Sequence, residues 1–226
     1  MKKLILIVLA ITGIQVSIAQ TAIMDSVYRP RTYDLQVEQF RSYPDSPNDV
    51  IFLGNSLTAY TNWNELLGLT HVRNRGISGD TTFGVLERLD EITEGKPAKV
   101  FILIGINDIS RNVPSQLILR NYNRILQGIK SQSPNTKIYI QTLLPVNNTF
   151  TRYPNHYNKD QEIAAVNKGL KDLAENKKVE LIDLHPFFLD EDMRLSKKYT
   201  EEGLHLNSQG YLLWAEILKP YLNPRD

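Results

Sequence analysis

Short apolar runs alternate along this chain with segments of helical spacing. The runs are rich in β-branched residues, and two of them stop at Gly54 and Gly105. Such alternation is typical of a parallel sheet whose strands are joined by crossover helices. We therefore expect a three-layer α/β/α sandwich around a five-stranded parallel sheet. The predicted strands are 50–53, 70–74, 100–104, 138–140 with Leu143 and Leu144, and 179–182.

Between the runs lie segments in which apolar residues repeat at intervals of three and four, as on one face of a helix. They predict helices around 85–89, over 117–129, over about 160–175 and from Ser208 to about Tyr221. Asn207 or Ser208 is expected to cap the last helix. Its predicted buried residues are Leu212, Leu213, Ala215, Ile217 and Leu218.

The first residues have the pattern of a secretory signal peptide. Two lysines precede an apolar stretch that ends in small residues at Ala19, so we interpret residues 1–19 as a cleaved leader and expect a periplasmic or secreted protein. An uncleaved N-terminal anchor is the alternative, because stretches of this length are ambiguous. Residues 20–48 are expected to form an arm with one helix around 31–42, followed by a single domain over 49–226.

Charge and cysteine content exclude several classes of protein. The leader holds two of the 26 basic residues and none of the 25 acidic ones, so the remainder carries a formal charge of −1. Nucleic-acid binding and tight docking on anionic membranes both need clustered positive charge, and neither is expected, nor is stable membrane insertion after cleavage. The chain has no cysteine, so an exported protein must be stabilised by its core rather than by disulfides.

Three polar motifs follow predicted strands and therefore reach the edge of the sheet where parallel folds bind ligands. Ser56 follows the first strand, the glycines of 76–79 follow the second, and Asn107 follows the third. A glycine amide and a side-chain amide can both donate hydrogen bonds to a developing oxyanion. Each motif alone also fits an ordinary turn or helix cap.

A serine hydroxyl needs a base to become a nucleophile, and His205 precedes the last helix within reach of the same edge. Glu202 lies three residues earlier, where its carboxylate can hold the other imidazole nitrogen. His185, at the end of the fifth strand, is an alternative partner of Ser56. The segment 145–158 is unusually long for an irregular connection and leaves the carboxyl end of the fourth strand, which indicates a functional loop.

Metal and cofactor chemistry are not expected. The remaining histidines, His71 and His156, are isolated in the sequence, and no zinc-binding spacing is present. The first strand is followed by neither a dinucleotide-binding nor a phosphate-binding glycine motif.

Four short blocks occur in order along the chain: Gly54-Asn55-Ser56-Leu57, Gly76-Ile77-Ser78-Gly79-Asp80, Gly105-Ile106-Asn107-Asp108 and Glu202-Gly203-Leu204-His205. In this order they resemble the blocks of the GDSL/SGNH hydrolases, a family whose members include platelet-activating-factor acetylhydrolase-like enzymes and carbohydrate esterases. The resemblance covers about 49–222 and implies a flavodoxin-like sheet. It further implies that Ser56 is the nucleophile and His205 the base, and that the oxyanion hole consists of the Ser56 amide, the Gly79 amide and the Asn107 side chain.

Two positions depart from the family pattern. Asn55 replaces the usual Asp before the serine, a change expected to keep the turn. Glu202 replaces the usual Asp of the acid-x-x-His block and is longer by one methylene, so either Glu202 or a backbone carbonyl orients His205.

The resemblance implies an esterase that hydrolyses small-molecule or glycan esters without a cofactor. We expect short acyl groups, especially O-acetyl groups on carbohydrates, as substrates. Lipid acyl esters or thioesters, or a carbohydrate-binding relative with weak turnover, are the alternatives.

Overall fold

The structure is a computed structural model that describes residues 26–222, so the predicted leader lies outside the described residues. In chain order its helices are α1 (Tyr33–Arg41), α2 (Ser56–Ala59), α3 (Trp63–Leu67), α4 (Thr82–Glu87), α5 (Leu89–Thr93), α6 (Ile106–Ser110), α7 (Ser115–Gln132), α8 (Asp160–Lys177) and α9 (Ser208–Leu218). Short 3₁₀ turns cover His185–Phe188 and Lys219–Tyr221. Over this part of the chain, no helix combines the length and apolarity required to span a membrane.

The five strands form one parallel sheet, which confirms the predicted fold class. The strands are β1 (Val50–Gly54), β2 (Val72–Gly76), β3 (Lys99–Leu103), β4 (Lys137–Gln141) and β5 (Glu180–Ile182). Their spatial order is β2-β1-β3-β4-β5, the flavodoxin-like order, and every pairing is parallel. In this order the carboxyl ends of β1, β2 and β3 are neighbours.

The centre of the sheet is packed on one face by a row of aromatic rings. Phe52, Phe101 and Tyr139 occupy paired positions on β1, β3 and β4, so their rings stack at centroid distances of 5.0 and 4.5 Å. Trp63 of α3 stacks on Phe52 at 4.1 Å and Trp214 of α9 meets Trp63 edge-on at 4.9 Å. Large aromatic surfaces dominate core energetics, so this row anchors the last helix to the sheet.

Three local predictions are corrected by the structure. The helix predicted around 85–89 is two short helices, because Arg88 leaves helical geometry and is buried, donating to the Arg75 carbonyl oxygen at 2.9 Å. Leu143 and Leu144 are buried but lie beyond β4. Leu212 is 57% exposed, and Leu213 and Ile217 are only partly buried. Ala215 and Leu218 are buried as predicted, and the rest of the buried face of α9 consists of Gly210, Tyr211 and Trp214.

The N-terminal arm is tied to the domain through α1, which lies within the range predicted for its helix. The Tyr33 hydroxyl donates to the Gly84 carbonyl oxygen at 2.6 Å. Phe40 packs with Ile77, and the Arg75 guanidinium lies 4.9 Å from the centre of the Phe40 ring. The arm therefore covers the segment that follows β2.

Candidate active site

Ser56 lies at a sharp turn between β1 and α2. Asn55 caps the helix by accepting a hydrogen bond from the Leu57 amide at 3.0 Å, so the amide side chain keeps the turn as expected. A Cβ atom on Gly54 would lie 2.4 Å from the Leu103 carbonyl oxygen. The close approach of β1 and β3 therefore requires glycine just before this turn.

His205 lies directly against Ser56, although 149 positions separate them in sequence. The His205 Nε2 atom is 2.9 Å from the Ser56 Oγ atom. The structure brings His205, and not the alternative His185, to the serine. His185 Nδ1 lies 2.8 Å from the Leu143 carbonyl oxygen and so belongs to the turn after β5.

Glu202 holds the other side of the imidazole. Its Oε1 atom lies 2.9 Å from His205 Nδ1, and the backbone N–H of His205 donates to the same oxygen. Both side chains are largely buried, with 14% and 15% of their surfaces exposed. The extra methylene of glutamate is thus accommodated, and the carboxylate rather than a backbone carbonyl occupies the hydrogen-bonding position at Nδ1.

The turn that carries Glu202 and His205 is braced from several sides. Gly203 has a φ of 85°, a left-handed conformation that favours glycine, and its N–H donates to Thr200 Oγ1 at 2.9 Å. The backbone N–H of Asn147 donates to the Gly203 carbonyl oxygen at 2.8 Å. The Tyr157 hydroxyl donates to the Glu202 carbonyl oxygen at 2.5 Å. The loop after β4 therefore supports this turn.

Two further predicted residues, Gly79 and Asn107, are linked through the backbone of Asp80. Gly79 lies between β2 and α4 with a φ of 81°, and Asn107 lies in the first turn of α6. The Asn107 Nδ2 group donates to the carbonyl oxygen of Asp80, the residue after Gly79, at 2.9 Å. Because this contact uses one of two N–H bonds, Asn107 retains a second donor. The Ser56 amide lies in the first turn of α2, where amides have no acceptor within the helix.

A buried polar network fixes the segment between Gly79 and α4. Asp80 forms an ion pair with Arg88 at 3.0 Å, and both side chains are fully buried. The Thr82 hydroxyl and amide both donate to the Asp108 carboxyl group. Burial raises the pKa of Asp108 to about 7. These contacts link the loop after β2 to the helix that carries Asn107.

Two tyrosines flank His205. The rings of Tyr60 and Tyr153 lie 5.1 and 5.2 Å from the imidazole centre. Burial lowers the pKa of His205 below its ordinary value of 6.5, and the Glu202 carboxylate opposes part of this shift. The imidazole is therefore neutral at neutral pH and able to accept a proton.

The sequence did not identify these tyrosines or His156 as part of the site. His156 Nε2 lies 3.1 Å from Asn107 Oδ1, although the histidine is isolated in the sequence. The available signal was the length of the irregular segment 145–158, which contains Tyr153 and His156. Within residues 26–222, no group of three or more His, Asp or Glu side chains is placed to hold a metal ion.

Comparisons with known proteins identify the family of the chain. Residues 52–213 match the model of the GDSL-like Lipase/Acylhydrolase family. The chain is 33% identical over 183 residues to platelet-activating factor acetylhydrolase IB subunit alpha2 of Rattus norvegicus, covering 78% of this chain and 75% of that protein.

Two solved structures extend the comparison. A Streptococcus pneumonia protein provisionally described as a platelet activating factor is 29% identical, with a TM-score of 0.79 over 94% of this chain and 100% of that one. An acetyl xylan esterase is 21% identical, with a TM-score of 0.66 over 77% of this chain and 100% of that one, which is a likeness of fold.

Proposed function

The chain belongs to the GDSL-like Lipase/Acylhydrolase family and is a serine ester hydrolase, and on that premise we propose that Ser56 is its nucleophile and His205 its general base. The observation that carries the proposal is the chain of two contacts from Ser56 Oγ through the imidazole to Glu202, each 2.9 Å long. A hydroxyl, a base and an orienting carboxylate in this order form an acyl-transfer triad.

The acylation step follows from this arrangement. His205 Nε2 takes the hydroxyl proton while Ser56 Oγ attacks the ester carbonyl carbon, and the Glu202 carboxylate stabilises the imidazolium that forms. Negative charge then develops on the carbonyl oxygen. The Ser56 amide, the Gly79 amide and the free N–H of Asn107 are assigned as its donors. Collapse of the tetrahedral intermediate breaks the ester bond, and the imidazolium returns its proton to the leaving alcohol.

Deacylation uses the same groups with water as the nucleophile. His205 accepts a proton from water as its oxygen attacks the acyl carbon on Ser56. The second intermediate collapses, the carboxylic acid leaves, and the proton returns to Ser56 Oγ. No cofactor takes part in either step.

Hydrolysis of p-nitrophenyl acetate by the mature protein tests these assignments. Ser56→Ala and His205→Ala are each expected to lower kcat at least about 10³-fold. Ser42→Ala and His71→Ala are matched controls, because Ser42 is exposed at the end of α1 and His71 precedes β2 at the opposite end of the sheet. Full turnover in the Ser56 variant would disprove the proposal, and glycan binding without wild-type turnover would favour a binding protein.

The proposed substrates are short-chain esters, with O-acetyl groups on carbohydrates first among them. Tyr60 is 57% exposed and Tyr153 is partly exposed, so two aromatic rings border the imidazole at the surface. A flat ring with a polar hydroxyl suits a ligand that is amphipathic in the same way, such as a sugar. The fold likeness to an acetyl xylan esterase supports this choice.

Lipid acetyl esters are the second candidate, because the curated relative at 33% identity is a platelet-activating factor acetylhydrolase subunit. Rates on acetylated xylo-oligosaccharides and on acetyl phospholipids distinguish the two. For a glycan substrate, Tyr60→Ala is expected to raise KM for the oligosaccharide and leave KM for p-nitrophenyl acetate nearly unchanged. A higher kcat/KM on the phospholipid would reject the glycan assignment.

Export is also proposed, from the leader pattern of residues 1–19. The expected observation is a mature protein outside the cytoplasm whose first residue follows Ala19 or Gln20, measured by fractionation and N-terminal sequencing. A full-length chain retained in the membrane fraction would instead favour the uncleaved anchor.

A further inference from the structure

His156 contacts the proposed oxyanion donor rather than the nucleophile. It lies on the segment between β4 and α8, is partly buried, and its Nε2 atom is 3.1 Å from Asn107 Oδ1. The His156 amide donates to the Tyr153 carbonyl oxygen at 2.9 Å, closing a turn within that segment. The catalytic steps assigned above do not use this histidine.

The hydrogen-bond pattern determines where the His156 proton lies. The Asp80 carbonyl oxygen can only accept, so Asn107 must present Nδ2 to Asp80 and Oδ1 to His156. Since Oδ1 can also only accept, His156 Nε2 must carry a proton. Burial and the nearby His205 lower the pKa of His156 to about 4, so this donor is the neutral imidazole at neutral pH.

The Asn107 amide group is thereby held at both ends. Its oxygen accepts from His156 and one of its N–H bonds donates to Asp80, and because the amide is planar these two contacts fix the direction of the remaining N–H bond. Without the imidazole, only the Asp80 contact opposes rotation of the amide. A rotated amide would turn its oxygen, rather than a donor, toward the substrate carbonyl.

We propose that His156 is a positioning residue that holds the Asn107 side chain in the orientation required to stabilise the oxyanion. This inference rests on the proposed function, in which Asn107 is an oxyanion donor. The proposal also gives a role to the irregular segment 145–158, which in addition contacts the turn that carries Glu202 and His205. Tyr153 packs 5.2 Å from the imidazole of His205, and Tyr157 binds the Glu202 carbonyl oxygen.

Three substitutions of His156 test the inference, because they differ in how far from Cα they place a hydrogen-bond donor. Glutamine places its Nε2 group the same number of bonds from Cα as the imidazole Nε2, whereas the asparagine amide is one bond shorter. His156→Ala is expected to lower kcat for p-nitrophenyl acetate about 10-fold to 100-fold with KM within about two-fold of wild type. His156→Gln is expected to restore most of the loss, and His156→Asn to behave like His156→Ala.

A double-mutant cycle with Asn107→Ala provides the second readout. In that background His156→Ala is expected to lower kcat by less than about two-fold, because the group that it positions has been removed. Multiplicative losses in the double variant would overturn the inference. So would an effect confined to KM, or equal losses in the Gln and Asn variants, which indicate loosened packing.

The inference and the proposed function fail in different ways. Wild-type protein without Ser56-dependent turnover would overturn the proposed function, and this inference with it. Normal wild-type turnover with full activity in His156→Ala would overturn the inference alone.

Discussion

Glu202 Oε1 lies 2.9 Å from His205 Nδ1 and also accepts a hydrogen bond from the His205 backbone N–H. One carboxylate oxygen therefore fixes both the ring and the backbone of the same residue. The other oxygen, Oε2, is buried and has no hydrogen-bond partner among the described residues. A glutamate can thus occupy this position of the turn, because its Oε1 atom reaches both groups of His205.

Substitution of Glu202 tests whether this contact orients the base. Glu202→Ala is expected to lower kcat/KM by about 10²-fold to 10⁴-fold, since the imidazole loses its orienting partner and the charge that stabilises the imidazolium. Glu202→Asp shortens the side chain by one methylene and is expected to fall between the alanine variant and wild type. Steady-state kinetics on p-nitrophenyl acetate measure both. An alanine variant within two-fold of wild type would show that another group orients His205.

In the proposed mechanism, the pH dependence of kcat/KM reports the protonation of His205 in the free enzyme. Only the neutral imidazole can accept the Ser56 proton, and its pKa lies below 6.5. Activity is therefore expected to persist below pH 6.5 and to fall as the pH drops through the lowered pKa. Glu202→Gln removes a charge that raises this pKa, so the acid limb of the profile is expected to move to still lower pH. Movement to higher pH would contradict this account.

Gly203 is expected to tolerate no side chain. A Cβ atom there would lie 2.5 Å from the Asn147 carbonyl oxygen, at a φ of 85°. Gly203→Ala is expected to lower the free energy of unfolding by about 1–3 kcal/mol and to reduce kcat, because the turn that carries Glu202 and His205 must shift. Gly68→Ala is the matched control, with a φ of 67° and no atom within 4 Å of the added Cβ. It is expected to cost about 1 kcal/mol and leave kcat unchanged, as urea unfolding and kinetics will show.

Asp108 is expected to make stability depend on pH. Its folded-state pKa of about 7 lies above the ordinary 3.8, so the folded protein binds this proton more tightly than the unfolded chain does. The contribution is present at low pH and is lost as the pH rises from about 4 to about 7.

Asp108→Asn removes that titration. Between pH 5 and 8 the unfolding free energy of the variant is therefore expected to rise relative to wild type, by at most about 1.4 kcal/mol per pH unit. Asp172→Asn, at an exposed position of α8, is the control, and urea unfolding at several pH values makes the measurement. A constant difference across this range would contradict the expected titration.

The sequence predicted the sheet well because its signals are local. The apolar runs at β1 and β3 are continuous and fully buried, and each is followed by a glycine at the edge that carries the site. The placement of Ser56 and Asn107 at neighbouring strand ends then follows from the geometry of parallel sheets. The helix predicted around 85–89 was wrong in extent, because the buried ion pair of Arg88 with Asp80 is a tertiary contact that helical spacing does not encode.

The remaining errors have the same origin. Leu212 is apolar but lies off the face that α9 buries, and hydrophobicity alone does not specify which face packs. His156 has no sequence neighbour that indicates a role, and its contact with Asn107 exists only once the segment 145–158 is folded over α6. The length of that segment indicated a function, but the contacts of its side chains form only in the folded protein.

The two contacts of the proposed triad differ in how much of the fold each requires. Glu202 and His205 meet within one turn, whereas Ser56 and His205 meet only if the C-terminal segment is seated, a placement helped by the Tyr211 hydroxyl bound to the Leu57 carbonyl oxygen at 2.8 Å. A small displacement of that segment is enough to break the contact between Ser56 and His205, even where the sheet itself does not change. The turnover rate therefore reports whether the C-terminal segment is docked. It is more sensitive to that docking than a spectroscopic signal that averages over the whole backbone.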